Sequence, residues 1–392
     1  MKALSLFSGI GGLDLGFLNN GFQILLGIEI NKYAIDSLRH NFPETLFLHE
    51  DIRKVNLEDL DNLVYKHFKY SISDIDVILG GPPCQAFSTG GRRLGISDNR
   101  KDKGGDLVYH YMEFIRQIKP SIFIFENVKG LLSSSIKKMS FYERVSKYKR
   151  KEDVPYEYRP GSLFEKILND FSNLGYNLFY EVLNAANFGV PQKRERVFIV
   201  GIRKDINTTF SFPSPTHINP DLCNKENFRK PWLTLRDSIY DLKDIETLEF
   251  VNFPPSWGKY MALIPPGGCW VDLPIELQKE ALKGAFDTPD DPLKFGKRGG
   301  RRGFLRRLSW DKPSPTLLTS PVMKGSVLAH PEKNRPLSVE EYKRIQTFPD
   351  SWQVVGSTRI KYKLLGEAVP VKLAEAIAKQ VRVFLESKTT TT

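Results

Sequence analysis

Apolar residues in the first half of the chain fall into short runs, Ala3 to Phe7, Ile24 to Ile28, Ile75 to Leu79 and Ile122 to Phe125, with helical patterns between them. Runs this short, alternating with helices, are how strands buried in a parallel sheet read in sequence. Between the last two runs, Leu107, Tyr111, Phe114, Ile115 and Ile118 recur at helical spacing and give one apolar stripe that can cover a sheet face. The pattern predicts an α/β fold with a doubly wound, mostly parallel sheet. Ser133 to Gly161 break the alternation with serines and lysines, including Lys137, Lys138, Lys147, Lys149 and Lys151 around Tyr148. They form a surface insertion, either a solvated loop or a contact for phosphate.

After Arg203 the chain turns proline-rich and irregular, as in Phe212-Pro213-Ser214-Pro215, Pro254-Pro255 and Pro265-Pro266-Gly267-Gly268, which predicts a second, smaller domain. Alternation returns near Leu337. The stripe Leu373, Ile377, Val381 and Phe384 follows Pro370 and predicts a tail helix packed back on the N-terminal core. The expected division is a first domain over 1–203 completed by 360–392, a second over 204–335, and a linking segment over 336–359.

Charge narrows the partners. Lys and Arg total 57 against 46 acidic residues, a net charge of +11 over 392 residues, which favours a polyanion such as nucleic acid. Cys84, Cys223 and Cys269 lie far apart, so the spacing suggests neither a disulfide framework nor a zinc site, and no metal is expected. The N-terminus lacks the charged and apolar regions of a signal peptide, and no apolar run approaches ~18 residues, so the expectation is a soluble, intracellular protein without a membrane partner.

Two segments carry candidate chemistry. Leu6-Phe7-Ser8-Gly9-Ile10-Gly11-Gly12 follows the first strand and precedes a helix, so its glycines let backbone approach a ligand closely. Asp14 stands where a dinucleotide fingerprint needs its third glycine, which disfavours a pyrophosphate ligand. Glu29 ends the second strand about twenty residues on, a place from which a carboxylate can bind both ribose hydroxyls of an adenosyl group. Gly80-Gly81-Pro82-Pro83-Cys84-Gln85-Ala86-Phe87-Ser88 then sets a thiol behind two prolines, where stiff backbone fixes its direction. A free cysteine is usually a small buried hydrophobe, and the double proline followed by Gln85 and Ser88 does not suit that use. A thiol hydrolase would want a partnering histidine, and the six histidines show no such pairing.

With Glu126-Asn127-Val128 and Gln192-Lys193-Arg194-Glu195-Arg196, these segments resemble the DNA (cytosine-5) methyltransferase family, and the resemblance runs from Phe7 to Pro370. It implies the sheet of S-adenosylmethionine-dependent methyltransferases with a smaller, irregular DNA-recognition domain. It also implies methyl transfer from S-adenosylmethionine to carbon 5 of a flipped-out cytosine in a specific duplex sequence, through a covalent adduct with Cys84. In the family's pattern Phe7, Gly9, Gly11 and Gly12 hold the methionine part of the donor, Glu29 the ribose, and Asp51 with Ile52 the adenine, with Ile30 also at the donor. Pro83, Leu107, Glu367 and Ala368 complete that site; relatives carry Asn where this chain has Glu367, and a larger residue where it has Gly104. Carbon 5 is a poor nucleophile until something adds to carbon 6, the role implied for Cys84, and Arg194 or Arg196 can raise the thiolate fraction. Addition is eased when ring nitrogen 3 is protonated or hydrogen-bonded, the role implied for Glu126; the plainer alternative is a carboxylate paired with a lysine such as Lys129. Arg194 and Arg196, two apart, share one face if extended.

Extruding a nucleotide costs a few kcal/mol, which DNA contacts must offset. Gln85, Ser88, and Arg298, Arg301, Arg302, Arg306 and Arg307 of the basic run Lys297 to Arg307 are the candidates, with Phe304 as an aromatic suited to groove insertion. The resemblance further implies a bacterial, cytoplasmic monomer working beside a cognate restriction endonuclease. Two alternatives remain at this point: a catalytically silent DNA-binding regulator, which Glu367 alone suggests, and a transfer-RNA cytosine methyltransferase of the same fold.

Overall fold

The computed structural model describes residues 1–83, 107–137, 139–150, 152–206, 209–223, 228–282, 303–323 and 325–389. By contact the chain divides into two compact units, one of 1–184, 195–214 and 374–392, the other of 185–194 and 215–373. The second unit therefore takes in 336–359, expected as a link, and 360–373, expected to complete the first domain. Local bonding explains this. The hydroxyl of Tyr362 donates to the Leu337 carbonyl at 2.6 Å, and its ring meets that of Tyr342 edge-on at 4.8 Å.

The first unit is built on strands β1 (Lys2–Leu6), β2 (Gln23–Glu29), β3 (Leu46–His49), β4 (Val77–Gly80), β5 (Ile122–Val128), β6 (Tyr176–Asn184) and β8 (Glu195–Arg203). Its sheet has the order β3-β2-β1-β4-β5-β8-β6. The links among β1 to β5 are parallel, and β8 runs antiparallel to both β5 and β6. This is the α/β architecture that the alternation predicts. The order reverses at β1, so the crevice outside the carboxyl ends of β1 and β4 is where such a sheet binds ligands.

Helices α1 (Gly12–Leu18), α2 (Lys32–Asn41), α3 (Leu57–Phe68), α4 (Leu107–Ile118), α5 (Phe141–Lys149) and α6 (Ser162–Asn173) belong to the same unit. Asn31 caps α2 by accepting from the amides of Tyr33 and Ala34, satisfying donors that the helix start leaves open. The stripe on α4 is buried from Tyr111 to Ile118 as its spacing predicts, with Leu107 half-buried, and Tyr111 meets Phe123, Phe125 and Phe171 edge-on. The basic insertion holds α5, whose Lys147 pairs with Glu152, while Lys137 pairs with Glu157.

The second unit contains β7 (Gln192–Lys193), α7 (Leu235–Ile239), α8 (Pro255–Met261), α9 (Ile275–Leu282), α10 (Val339–Ile345) and α11 (Thr358–Glu367). With little regular structure, it relies on buried aromatics and on polar groups aimed at loop carbonyls. Trp270, Phe304 and Leu305 lie in its core, and Phe304 packs edge-on against Trp257 at 5.6 Å.

Helix α12 (Val371–Thr389) begins in the second unit and returns the chain to the first at Ala374. There it packs on the N-terminal core, as its apolar stripe predicts. A side chain at Gly16 would collide with Ala374, Asn19 bonds Glu375 at 2.6 Å, and Phe384 meets Phe210.

Candidate active site

The loop after β1 holds an unusual backbone. Phe7, Gly9 and Gly11 all have positive φ, at 59°, 55° and 82°. Glycine adopts such angles without strain, whereas Phe7 pays a conformational cost that its amide's bond to the Ile28 carbonyl at 2.9 Å helps to offset. The loop encloses Glu29 at the end of β2. One carboxylate oxygen accepts from the Gly9 amide and the other from the Asn31 amide, both at 2.8 Å. A Cβ added at Gly9 would meet nothing within 4 Å, and Ile30 on the same rim is 59% exposed. A clamped carboxylate beside open space and an exposed apolar side chain suits an adenosyl group. Beyond β3, Asp51 caps the turn that starts at Ile52 and is gripped by the Arg53 guanidinium, which holds its carboxyl below the usual range. Pro83 and Leu107 flank this unit's gap in the described residues, Pro83 exposed and Leu107 half-buried.

The reacting end lies at the ends of β4 and β5. In the antiparallel ladder Val128 faces Arg196 and Glu126 faces Phe198, so Glu126 and Arg196 are diagonal neighbours on one face. They meet as an ion pair, Arg196 Nε to Glu126 Oε1 at 2.9 Å, with both side chains about nine-tenths buried. Lys129 pairs instead with Glu195 at 3.0 Å, so the alternative partner for Glu126 is occupied elsewhere. A Cβ on Gly81 would lie 2.8 Å from Glu126 Oε2, so glycine there keeps room for the carboxylate. Asn127 donates to the Pro82 carbonyl at 3.2 Å and so fixes the backbone that leads into the proline pair. Cys84, Gln85 and Ser88 lie outside the described residues, as do Arg298, Arg301 and Arg302.

Residues 1–382 match the family of C-5 cytosine-specific DNA methylases. The chain belongs to that family. It is 36% identical over 384 residues to the Type II methyltransferase M.Eco47II of Escherichia coli, covering 98% of this chain and 79% of the relative. To M.Sau96I of Staphylococcus aureus it is 34% identical over 381 residues, covering 97% and 75%. Among solved structures, an E. coli prophage protein described as a DNA modification methyltransferase superposes with a TM-score of 0.61 at 23% identity, covering 98% of this chain and 99% of that one, a likeness of fold. The protein is thus a DNA cytosine-5 methyltransferase, and methyltransferases of this family generally use S-adenosylmethionine.

Several expectations for the methylase need correction. Arg194 is 1% exposed and donates to the carbonyls of Leu317, Gly366 and Glu367 at 3.2, 2.9 and 3.2 Å. Its guanidinium thus ties the segment before β8 to Leu317 and to the last turn of α11. Glu367 is exposed and Ala368 buried where α11 ends. In the basic run, Arg307 is 4% exposed and turns its guanidinium inward on backbone carbonyls, so it does not reach phosphate. Arg306 is half-buried and bonds Ser326 and the Val327 carbonyl. Phe304, suited by sequence to groove insertion, is a core residue. Among the described residues no helix is long and apolar enough to cross a membrane.

Sequence reasoning registered Asp14 only as a missing glycine. It lies in the first turn of α1, fully buried, with the hydroxyl of Ser5 as its polar side-chain neighbour. Burial pushes its carboxyl from the usual 3.8 up to about 6; the hydroxyl of Ser5 opposes the rise, and the charge of Glu29 adds to it. The native state therefore holds an extra proton between about pH 4 and pH 6. The cost of burying Asp14 is absent at low pH, grows across that window and is full above it, at up to ~3 kcal/mol. Asp14→Asn is expected to raise stability at about pH 8 and to change it little at about pH 4 in urea unfolding. An equal gain at both would rule out the carboxylate as the cause.

Proposed function

We propose that the methylase modifies carbon 5 of a cytosine flipped out of a specific duplex sequence, acting through a covalent bond from Cys84, as the modifying partner in a restriction-modification system. The reading is carried by the Glu126–Arg196 pair at the end of β5, beside the backbone that leads through Pro82 and Pro83 to Cys84. The sulfur of Cys84 adds to carbon 6 while Glu126 holds a proton at ring nitrogen 3, so the ring's electrons collect at carbon 5. Arg196 fixes the carboxyl group through Oε1. Bound S-adenosylmethionine supplies an electrophilic methyl group. Water then removes the carbon-5 proton, and the sulfur leaves with the electrons of its own bond to carbon 6. The donor's ribose rests on Glu29 and its adenine near Ile30, Asp51 and Ile52, with Phe7, Gly9, Gly11 and Gly12 around the methionine part.

A duplex in which 5-fluorocytosine replaces cytosine tests the covalent step, because the fluorine cannot leave as the proton does. The wild-type protein is expected to become bonded to it in the presence of donor, and Cys84→Ser to remain unattached. Normal methylation of ordinary duplex by Cys84→Ser would overturn the mechanism. Sequencing methylated positions in DNA from an expressing host would at the same time give the target sequence.

A further inference from the structure

A cleft of about 390 Å³ opens in the second unit between the segment Val251–Pro254, the loop residues Thr319 and Ser320 with Val322 beyond them, and the first turns of α11. Its walls are tied down. Lys361 pairs with Glu249 at 2.5 Å, the Val339 amide donates to the Glu249 carbonyl at 2.8 Å, and the floor residue Tyr362 is fixed by its bond to Leu337. The shape therefore exists before any ligand arrives.

Its charge is lopsided. Lys361 is neutralised by Glu249, whereas Arg359 at the rim is exposed and makes no ion pair or hydrogen bond among the described residues. Ser320 accepts from the Val322 amide at 3.4 Å and keeps its own donor, while the Thr319 hydroxyl donates only to the Met323 sulfur at 4.0 Å, a weak acceptor that a phosphate oxygen can displace. A planar guanidinium and two hydroxyl donors around one opening, with Phe253 and Val322 as an apolar wall, match a phosphate joined to a sugar. The cleft is larger than a bare phosphate needs, and the substrate of the methylase is DNA.

We propose that this cleft seats one phosphodiester of the DNA backbone. Arg359 forks onto the phosphate oxygens, Thr319 and Ser320 donate to them, and the attached deoxyribose lies against Phe253 and Val322. The contact carries no base information, so it strengthens binding to any duplex and helps set the register in which the enzyme lies on it. It rests on duplex DNA being the substrate.

Fluorescence anisotropy with two labelled duplexes, one containing the methylated sequence and one lacking it, tests the seat across a potassium chloride series. Arg359→Gln is expected to weaken binding of both about tenfold at low salt, the size of one charge-assisted hydrogen-bonded contact. It is also expected to make the slope of log affinity against log salt shallower by about 0.9, one phosphate's share. Arg359→Lys is expected to keep the slope. Thr319→Val with Ser320→Ala is expected to weaken binding without moving the slope, a readout that survives if Arg359→Gln folds poorly. An unchanged slope in a folded Arg359→Gln protein, or a loss confined to the duplex with the methylated sequence, overturns the proposal. Failure of the wild-type protein to bind or methylate any duplex would instead strike the substrate reading itself.

Discussion

Glu126→Gln is expected to slow methyl transfer by about 10²–10⁴-fold in single-turnover assays while leaving affinity for S-adenosylmethionine unchanged. Glutamine keeps the shape of the side chain but cannot carry a proton to and from ring nitrogen 3. It also removes the counter-charge of Arg196, whose guanidinium sits about nine-tenths buried at 2.9 Å from the carboxylate. Removing one partner of such a pair strands the other in a poorly solvated place. Arg196→Gln should therefore be nearly as damaging, and the double substitution should cost far less than the two losses added together. Measured melting temperatures separate lost chemistry from lost folding. A Glu126→Gln protein at the wild-type rate would remove Glu126 from the mechanism.

Arg307→Met is expected to destabilise the second unit by about 3–5 kcal/mol, the range for orphaning a buried, hydrogen-bonded charge's partners. Nε donates to the Ile264 carbonyl at 2.8 Å, and Nη1 to those of His330 at 2.9 Å and Lys333 at 2.8 Å, while Nη2 reaches the Met261 carbonyl. Methionine fills the volume but leaves four carbonyls without this donor. Lysine should rescue little, because an ammonium on a single stem cannot reproduce the planar fork. Burial already disfavours the charged form of this arginine, so its carbonyl bonds must outweigh a desolvation cost. Urea unfolding followed by the fluorescence of Trp270 and Trp310, both buried in that unit, gives the measurement. Wild-type stability in Arg307→Met would show that the carbonyls find other donors.

The two arginine tests also show where sequence reading reaches its limit. Arg306 and Arg307 are adjacent cations in one basic run, and the run contains no sign that the second points into a ring of carbonyls. That ring is assembled from Met261, Ile264, His330 and Lys333, residues from separate parts of the chain. Arg194 is hidden in the same way, since its acceptors lie more than a hundred residues away. The strands were legible because burial on both faces demands continuous apolar runs, as at Ile122 to Phe125, and α4 because its stripe has the helical period. The direction of β8 was not, because an apolar run such as Val197 to Ile202 looks the same either way. Only the antiparallel register sets Arg196 diagonally beside Glu126. Motif order singled out Glu29, Glu126 and Arg196 as candidates, while Asp14 gave no signal beyond breaking a glycine pattern.

Helix α12 has a bearing on how the molecule comes into being. Gly16 is kept bare so that Ala374 can lie against it, and Asn19 and Asn20 both bond Glu375, so the end of α1 meets partners more than 350 residues further along the chain. A polypeptide emerging from the ribosome can pair β1 with β2 early, yet it carries α1 without this cover until the residues around Ala374 have been made. Until then that side of α1 stays open to water.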